Sequence, residues 1–320
     1  MKKLITKSLL AVLLITMTAL SFAGCKKKDN AETIRIGVLT GHSLPVIATV
    51  NGYFKDEGLP NIELVTFSAG APEVEAFTSG ALDIVNTGDL PAYNGINNGV
   101  DFRFIGTYSS TVTGNALVVR NASNIKSFSD LKGKKLAVPF GSNIHSLLYE
   151  YLEAGNVNPD DVEIINLFCA DAVNALLHGD IDGAVIWNPY VNIASKDENL
   201  TVLADTSDFR IFVCPISTSQ KYLDEHTDNI KKVLKALDKA AKWITANKEE
   251  AAKKVAEYYE MNDYSSLLIG LESSDVDVKL TQDKIDALKL GAEVNYKYGI
   301  LSKPIDVDKY TRPDLTANFD

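Results

Sequence analysis

Three cysteines, four histidines and two tryptophans are all that 320 residues offer of several side chains favoured for metal, redox and stacking chemistry. Spacing sharpens the scarcity. The histidines at 42, 145, 178 and 226 form no His-Glu-x-x-His, and the cysteines at 25, 169 and 214 form no Cys-x-x-Cys. Neither glycine-rich phosphate loop, Gly-x-x-x-x-Gly-Lys-Ser/Thr or Gly-x-Gly-x-x-Gly, follows a strand, and Gly-x-Ser-x-Gly is missing. These absences argue against metalloenzymes, nucleotide enzymes and serine hydrolases, so no metal, cofactor or catalytic residue is expected. Positive charge is also short: 32 Lys and Arg stand against 42 Asp and Glu, a net charge of -10. A nucleic-acid backbone demands a basic face, so nucleic acid is not an expected partner.

Long apolar runs occur once, at the N-terminus. Lys2, Lys3 and Lys7 precede the run from Leu9 to Leu20, which is followed by Ser21-Phe22-Ala23-Gly24-Cys25. A membrane-spanning helix needs about 20 apolar residues, and this run is shorter and contains Thr16 and Thr18. It reads as a secretory signal over residues 1–24. Ala23-Gly24-Cys25 resembles a bacterial lipobox, with Phe22 where Leu is usual, which implies a lipid on Cys25 and a polar tether over 25–32. Acyl chains hold a domain at a membrane in proportion to their buried methylenes. The expected location is the outer face of the bacterial cytoplasmic membrane, whether at the cell surface or in a periplasm. Removing residues 1–24 takes three Lys and no acid, leaving 29 basic against 42 acidic residues. Only Cys169 and Cys214 would remain for a disulfide, which is no disulfide scaffold.

From Thr33 the chain alternates short apolar strands with amphipathic helices, starting at Ile34-Arg35-Ile36-Gly37-Val38-Leu39. Such alternation predicts an α/β fold with largely parallel sheets. An approximate repeat runs through it: Ala76-Phe77-Thr78-Ser79-Gly80-Ala81-Leu82-Asp83-Ile84-Val85 echoes Ala175-Leu176-Leu177-His178-Gly179-Asp180-Ile181-Asp182-Gly183-Ala184. Both copies read as helix, Gly stop, strand, with Pro72 suited to a first helical turn and Asp171 to a cap. Two similar lobes follow. Beyond Cys214-Pro215 the texture changes to long helices, near 228–246, 248–259 and 281–298, whose apolar stripes suit packing on the first lobe.

Four stretches carry a family likeness: Asn51-Gly52-Tyr53-Phe54-Lys55-Asp56-Glu57-Gly58-Leu59, Asp130-Leu131-Lys132-Gly133-Lys134-Lys135-Leu136-Ala137-Val138-Pro139, Gly179-Asp180-Ile181-Asp182-Gly183-Ala184-Val185-Ile186-Trp187-Asn188-Pro189, and Tyr298-Gly299-Ile300-Leu301. The chain resembles the periplasmic-binding proteins of taurine, alkanesulfonate, nitrate and pyrimidine-precursor importers, in a lipoprotein form, and residues 138–192 look most like the taurine and alkanesulfonate branch. The resemblance implies a two-lobed type II binding-protein fold, each lobe a mixed, mostly parallel sheet flanked by helices, joined by two crossing strands. The crossings are expected near Leu117–Arg120 and Phe212–Ser217, with lobe I formed by 33–118 plus 215–320 and lobe II by 119–214.

In open parallel sheets ligands sit outside the carboxyl ends of the strands. That rule selects the loops 41–45, 68–71, 87–89, 141–145, 169–171 and 187–188, none of which contains Lys or Arg. The candidate ligand-binding residues are Ser43, Leu44, Ser68, Gly70, Ala71, Thr87, Asp89, Ser142, Asn143, His145, Cys169, Asp171, Trp187 and Asn188. An anionic head group would rely on helix N-terminal amides and hydroxyls, although Ser and Asn here equally suit capping. Trp187 suits a flat pocket wall or a core. Asp89 and Asp171 suit capping or a ligand amine, and His145 a donor or a structural role. The expected function is capture of a small organic solute, best a taurine-like or alkanesulfonate-like molecule, by a monomer that delivers it to an ABC permease. The alternatives are a thiamine-precursor pyrimidine or similar heterocycle, or nitrate. A pyrimidine-synthase-like enzyme on the same fold is a remote alternative, since its Cys-rich iron-binding motif is missing, and a surface sensor stays open.

Overall fold

The computed structural model describes residues 32–111, 113–207 and 209–319; the expected signal segment, Cys25 and most of the tether lie outside the described residues. Residues 33–320 form one compact unit.

Among the described residues ten strands make two five-stranded sheets. They are β1 (Ile34–Leu39), β2 (Ile62–Phe67), β3 (Ile84–Asn86), β4 (Phe102–Thr111), β5 (Asn115–Arg120), β6 (Lys135–Val138), β7 (Glu163–Asn166), β8 (Gly183–Trp187), β9 (Leu200–Asp205) and β10 (Phe212–Ser219). The first sheet has the order β2-β1-β3-β10-β4 and the second β7-β6-β8-β5-β9. The halves follow one plan with one exchange. β10 enters the first sheet antiparallel to β3 and β4, and β5 enters the second antiparallel to β8 and β9. Around the exchanged strand the others run one way.

Strand bounds correct the expected crossings. Leu117–Arg120 lies inside β5 and Phe212–Ser217 inside β10, so the chain changes sheets earlier, between Thr111 and Asn115 and between Asp205 and Phe212. Apolar continuity explains the shift: Leu117, Val119 and Val185 lie in one core of the second sheet, while Val118, Ala184 and Ile186 lie in the core on its other face. A segment buried on both faces has to sit within its sheet, not between lobes.

Helices cover both faces. The first lobe carries α1 (Ser43–Val50), α2 (Tyr53–Asp56), α3 (Gly70–Thr78) and α4 (Asp89–Asn97). The second carries α5 (His145–Ala154), α6 (Cys169–His178) and α7 (Tyr190–Ala194). After β10 come α8 (Gln220–Glu225), α9 (Thr227–Ala246), α10 (Lys248–Tyr258), α11 (Ser265–Ser273) and α12 (Gln282–Lys297). These return to the first lobe. Ile230, Val233, Leu234 and Leu237 of α9 pack with Ile34, Ile36 and Val38, whereas Ile285 and Leu288 of α12 pack with Val85 and Phe104 on the opposite face.

The repeated Gly-to-Asp stretch has a common structural use. After α6, Gly179 adopts φ 83°, a left-handed stop that favours glycine. Asp83 then accepts the Arg35 amide at 2.8 Å, while Asp182 accepts the Lys135 amide at 3.0 Å. Each carboxylate, just before β3 or β8, thus ties that strand to its parallel neighbour, β1 or β6.

Candidate functional site

A cavity of about 1160 Å³ lies between the two sheets, walled by the loops that follow β1, β2, β3, β6, β7 and β8. Local sequence explains why amides face it. α1, α3, α4 and α6 begin at Ser43, Gly70, Asp89 and Cys169, and their N-cap residues are His42, Ala69, Gly88 and Phe168. No N-cap side chain closes any of the four helices, although Asp89 Oδ1 accepts the Leu90 amide at 2.7 Å inside the first turn of α4, and all four N-cap residues line the cavity. Uncapped first-turn N–H groups carry the positive end of the helix dipole. Three such ends, of α1, α3 and α6, on one cavity make a seat for a negative group without a formal cation. Among the described residues no Lys or Arg lines it, and Glu75, exposed on α3, is its single acid.

Ser43, Ser68, Gly70, Ala71, Thr87, Ser142, Asn143, Cys169, Trp187 and Asn188 all line the cavity. Four other candidates do not, each for a physical reason. Leu44 sits on the inward side of α1, fully buried in the core. Asp89 turns away from the cleft toward Arg210, whose Nη1 lies 3.6 Å from its carboxylate. Asp171 is exposed, three residues past the true N-cap, Phe168, so it is neither a cap nor a wall residue. His145 stacks under Phe140 at 4.6 Å and accepts the Gly141 amide through Nδ1 at 3.4 Å. Burial pushes it down to about 4, so it is neutral.

Ser142 lines the wall, but its hydroxyl donates to the Pro139 carbonyl at 2.6 Å and its amide to the same oxygen at 3.3 Å. Its donors are therefore turned from the cavity. Both remaining thiols, Cys169 and Cys214, are free and line the cavity, one from each lobe. Burial pushes each up to about 12, which keeps both protonated and poorly nucleophilic at neutral pH.

Sequence reasoning missed several wall residues. His42 Nδ1 accepts the Leu39 amide at 3.3 Å, which leaves the proton on Nε2 as a fixed donor, and the ring packs on Tyr108 at 4.1 Å. Burial pushes His42 down to about 3, so it donates without carrying charge. Asn115, at the first change of sheet, lines the cavity with its buried Nδ2 unpartnered. Phe140 and Phe168, each about half exposed, add aromatic wall from the second lobe. The loop after β1 was a legible signal for His42; the wall supplied by α10 and α11 had none.

Fold and cleft together define the two-lobed architecture of periplasmic binding proteins. The chain belongs to the NMT1/THI5 like family, whose model matches residues 40–251. It is 29% identical over 225 residues to the taurine-binding periplasmic protein of Escherichia coli (strain K12), covering 70% of this chain and 68% of that one. Its fold is that of the periplasmic aliphatic sulphonate binding protein SsuA from Escherichia coli, with a TM-score of 0.77 and 24% identity over 88% of this chain and 97% of that one. The alkanesulfonate-binding protein SsuA from Xanthomonas axonopodis pv. citri, bound to MOPS, superposes with a TM-score of 0.74 at 23% identity, covering 88% and 98%.

Proposed function

We propose that this chain is the extracytoplasmic solute-binding subunit of an ABC importer, anchored through lipid on Cys25, and that it takes a small organic sulfonate into the cleft between its lobes. The carrying observation is the convergence of three uncapped helix starts, those of α1, α3 and α6, on a cavity without a cationic side chain among the described residues. A sulfonate presents three acceptor oxygens and one delocalised charge, which matches amides, Nε2 of His42 and Nδ2 of Asn115 better than it matches a single ammonium. The names of the relatives support the same class. We read the protein as a binder because the relatives it matches are named as binding proteins.

In this reading the monomer turns about its two changes of sheet, after β4 and before β10, and the liganded, closed form is what the permease receives. Thermal denaturation of the full chain with sulfonates, nitrate and pyrimidines tests it. A sulfonate at 100 times its dissociation constant should add about 2.7 kcal/mol. Stabilisation by nitrate or a pyrimidine alone, with every sulfonate silent, would overturn the assignment.

A further inference from the structure

One buried carboxyl sits directly behind the seat without facing it. Glu73 belongs to the first turn of α3, the helix whose start contributes Ala69, Gly70 and Ala71 to the cavity wall. Its own side chain is wholly buried and is not part of that wall. Two close approaches hold it there. A Cβ on Gly37 of β1 would lie 2.7 Å from Glu73 Oε1 and 2.9 Å from its Cγ, so glycine at 37 is what leaves the carboxyl its room. A Cβ on Gly70 would lie 2.3 Å from Thr87 Oγ1, so the hydroxyl next to the carboxyl presses on the first residue of α3. Oε1 of Glu73 accepts the Asn86 amide at 2.9 Å, whereas Glu73 Oε2 and Thr87 Oγ1 are buried without a partner in hydrogen-bond geometry.

Among the described residues no cation pairs with this carboxyl. Arg35 of β1 pairs with Asp83 at 2.8 Å, and Glu63 of β2 and Glu75 of α3 are exposed. On α4, Asp89 turns to Arg210 and the Tyr93 hydroxyl donates to the Leu288 carbonyl. Burial keeps Tyr108 of β4 and Cys214 of β10 protonated and His42 neutral. Burial also decides the state of Glu73: it pushes the carboxyl up to about 7, against the pull of the Asn86 amide and the Thr87 hydroxyl.

The consequence lies in the helix dipole. A negative charge in a first turn is stabilised by the same positive end that attracts an external anion, and two like charges sharing that end disfavour each other. Resting on the sulfonate reading above, we propose that Glu73 is a proton-linked switch on the seat. Protonated, it leaves the start of α3 free to hold an anionic head group; ionised, it takes that field for itself and repels the ligand. Binding therefore draws a proton onto Glu73, and affinity for an anion falls as pH rises. Glu73 lies off the wall and works through the helix start, so it is a positioning residue.

Calorimetric titration of the full chain with ethanesulfonate and hexanesulfonate at pH 6 and pH 9 tests this, since both ligands keep one negative charge throughout. A ligand charge that raises the Glu73 value by about one unit makes both affinities roughly tenfold weaker at pH 9 than at pH 6. At pH 7.5, titrations in buffers of different ionisation enthalpy should show about half a proton taken up per ligand bound. Glu73→Gln keeps the shape and a donor but cannot ionise, so its affinity should stay level across the range with no proton taken up. A level wild-type affinity without proton uptake, or a Glu73→Gln variant that keeps the wild-type fall and uptake, would overturn the inference with the sulfonate reading intact. Silence from both sulfonates at both pH values would instead overturn that reading, and this inference with it.

Discussion

The cavity wall and the hinge behind it solve opposite electrostatic problems with residues only a few positions apart. The wall is polar but cation-free among the described residues. Behind it, Arg210 in the second changeover segment is fully buried and bridges both lobes. Its Nη2 donates to Ser146 Oγ at 2.6 Å and its Nε to Glu150 Oε2 at 3.1 Å, both on α5 of the second lobe. Nη1 lies 3.6 Å from Asp89 on α4 of the first lobe, and the guanidinium plane rests 4.0 Å above the Phe212 ring. Burial pushes Asp89 up to about 6, with Arg210 opposing, and it raises Glu150 as well. Gly88 lines the cavity immediately before Asp89, and Asn143 does so just before α5. Arg210 is thus a strut between the start of α4 in the first lobe and α5 in the second. Charge here fixes posture, whereas under the proposed function neutral donors would meet the ligand.

The largest test of that division is Arg210→Met. It leaves two buried carboxyls without their cation, and breaking a buried pair costs about 3–5 kcal/mol. Urea denaturation at pH 8 should show a loss of that size. The loss should shrink at pH 5, below the raised Asp89 value, because a protonated carboxyl no longer needs the cation. A loss that did not depend on pH would place the effect in packing on Phe212 instead of charge.

Glu73 sharpens the comparison from the cavity side. It is fully buried behind Thr87, and burial pushes it up to about 7 against the pull of the Asn86 amide and the Thr87 hydroxyl. The folded state therefore holds this proton where the unfolded chain has released it. Its contribution is intact below pH 4.5 and is lost as pH rises toward 7, by about 3 kcal/mol. Glu73→Gln should remove that slope, so the variant should gain on wild type across this window and hold its gain above it. Parallel stability curves would contradict the assignment.

How much of this was legible in the sequence follows from what each signal encodes. The Gly-to-Asp repeat exposed two halves because both copies do the same local work, with Asp83 on Arg35 and Asp182 on Lys135. Strand-end loops located Ser68, Gly70, Thr87 and Asn143 because parallel α/β topology puts those loops at one rim. The fate of Asp89 was illegible, since an acid after a Gly turn reads alike whether it caps, faces a ligand or meets an arginine 121 residues away. The apolar stripe of α10 reported burial but not a place on the cavity wall, and α11 (Ser265–Ser273) went unnoticed in a segment without a clear stripe.

Smaller effects complete the series. Asn115 offers an unpartnered buried donor on the wall, so Asn115→Ala should weaken sulfonate binding by about 1 kcal/mol, roughly fivefold, with little change in unliganded stability. Lys297 donates to Glu153 across the lobes at 2.6 Å, but both side chains are more than half exposed. Exposed pairs contribute little, and Lys297→Ala should leave the denaturation midpoint unmoved within error. An effect rivalling that of Arg210→Met would erase the contrast between buried strut and surface pair.

The most direct test is a calorimetric titration of the full chain with hexanesulfonate at low and high sodium chloride. Uncharged donors on a chain of net charge -10 predict one site whose affinity stays level or tightens slightly as salt screens the repulsion. An affinity that collapses with salt would reveal a cation in the seat, and a flat titration would remove the seat altogether.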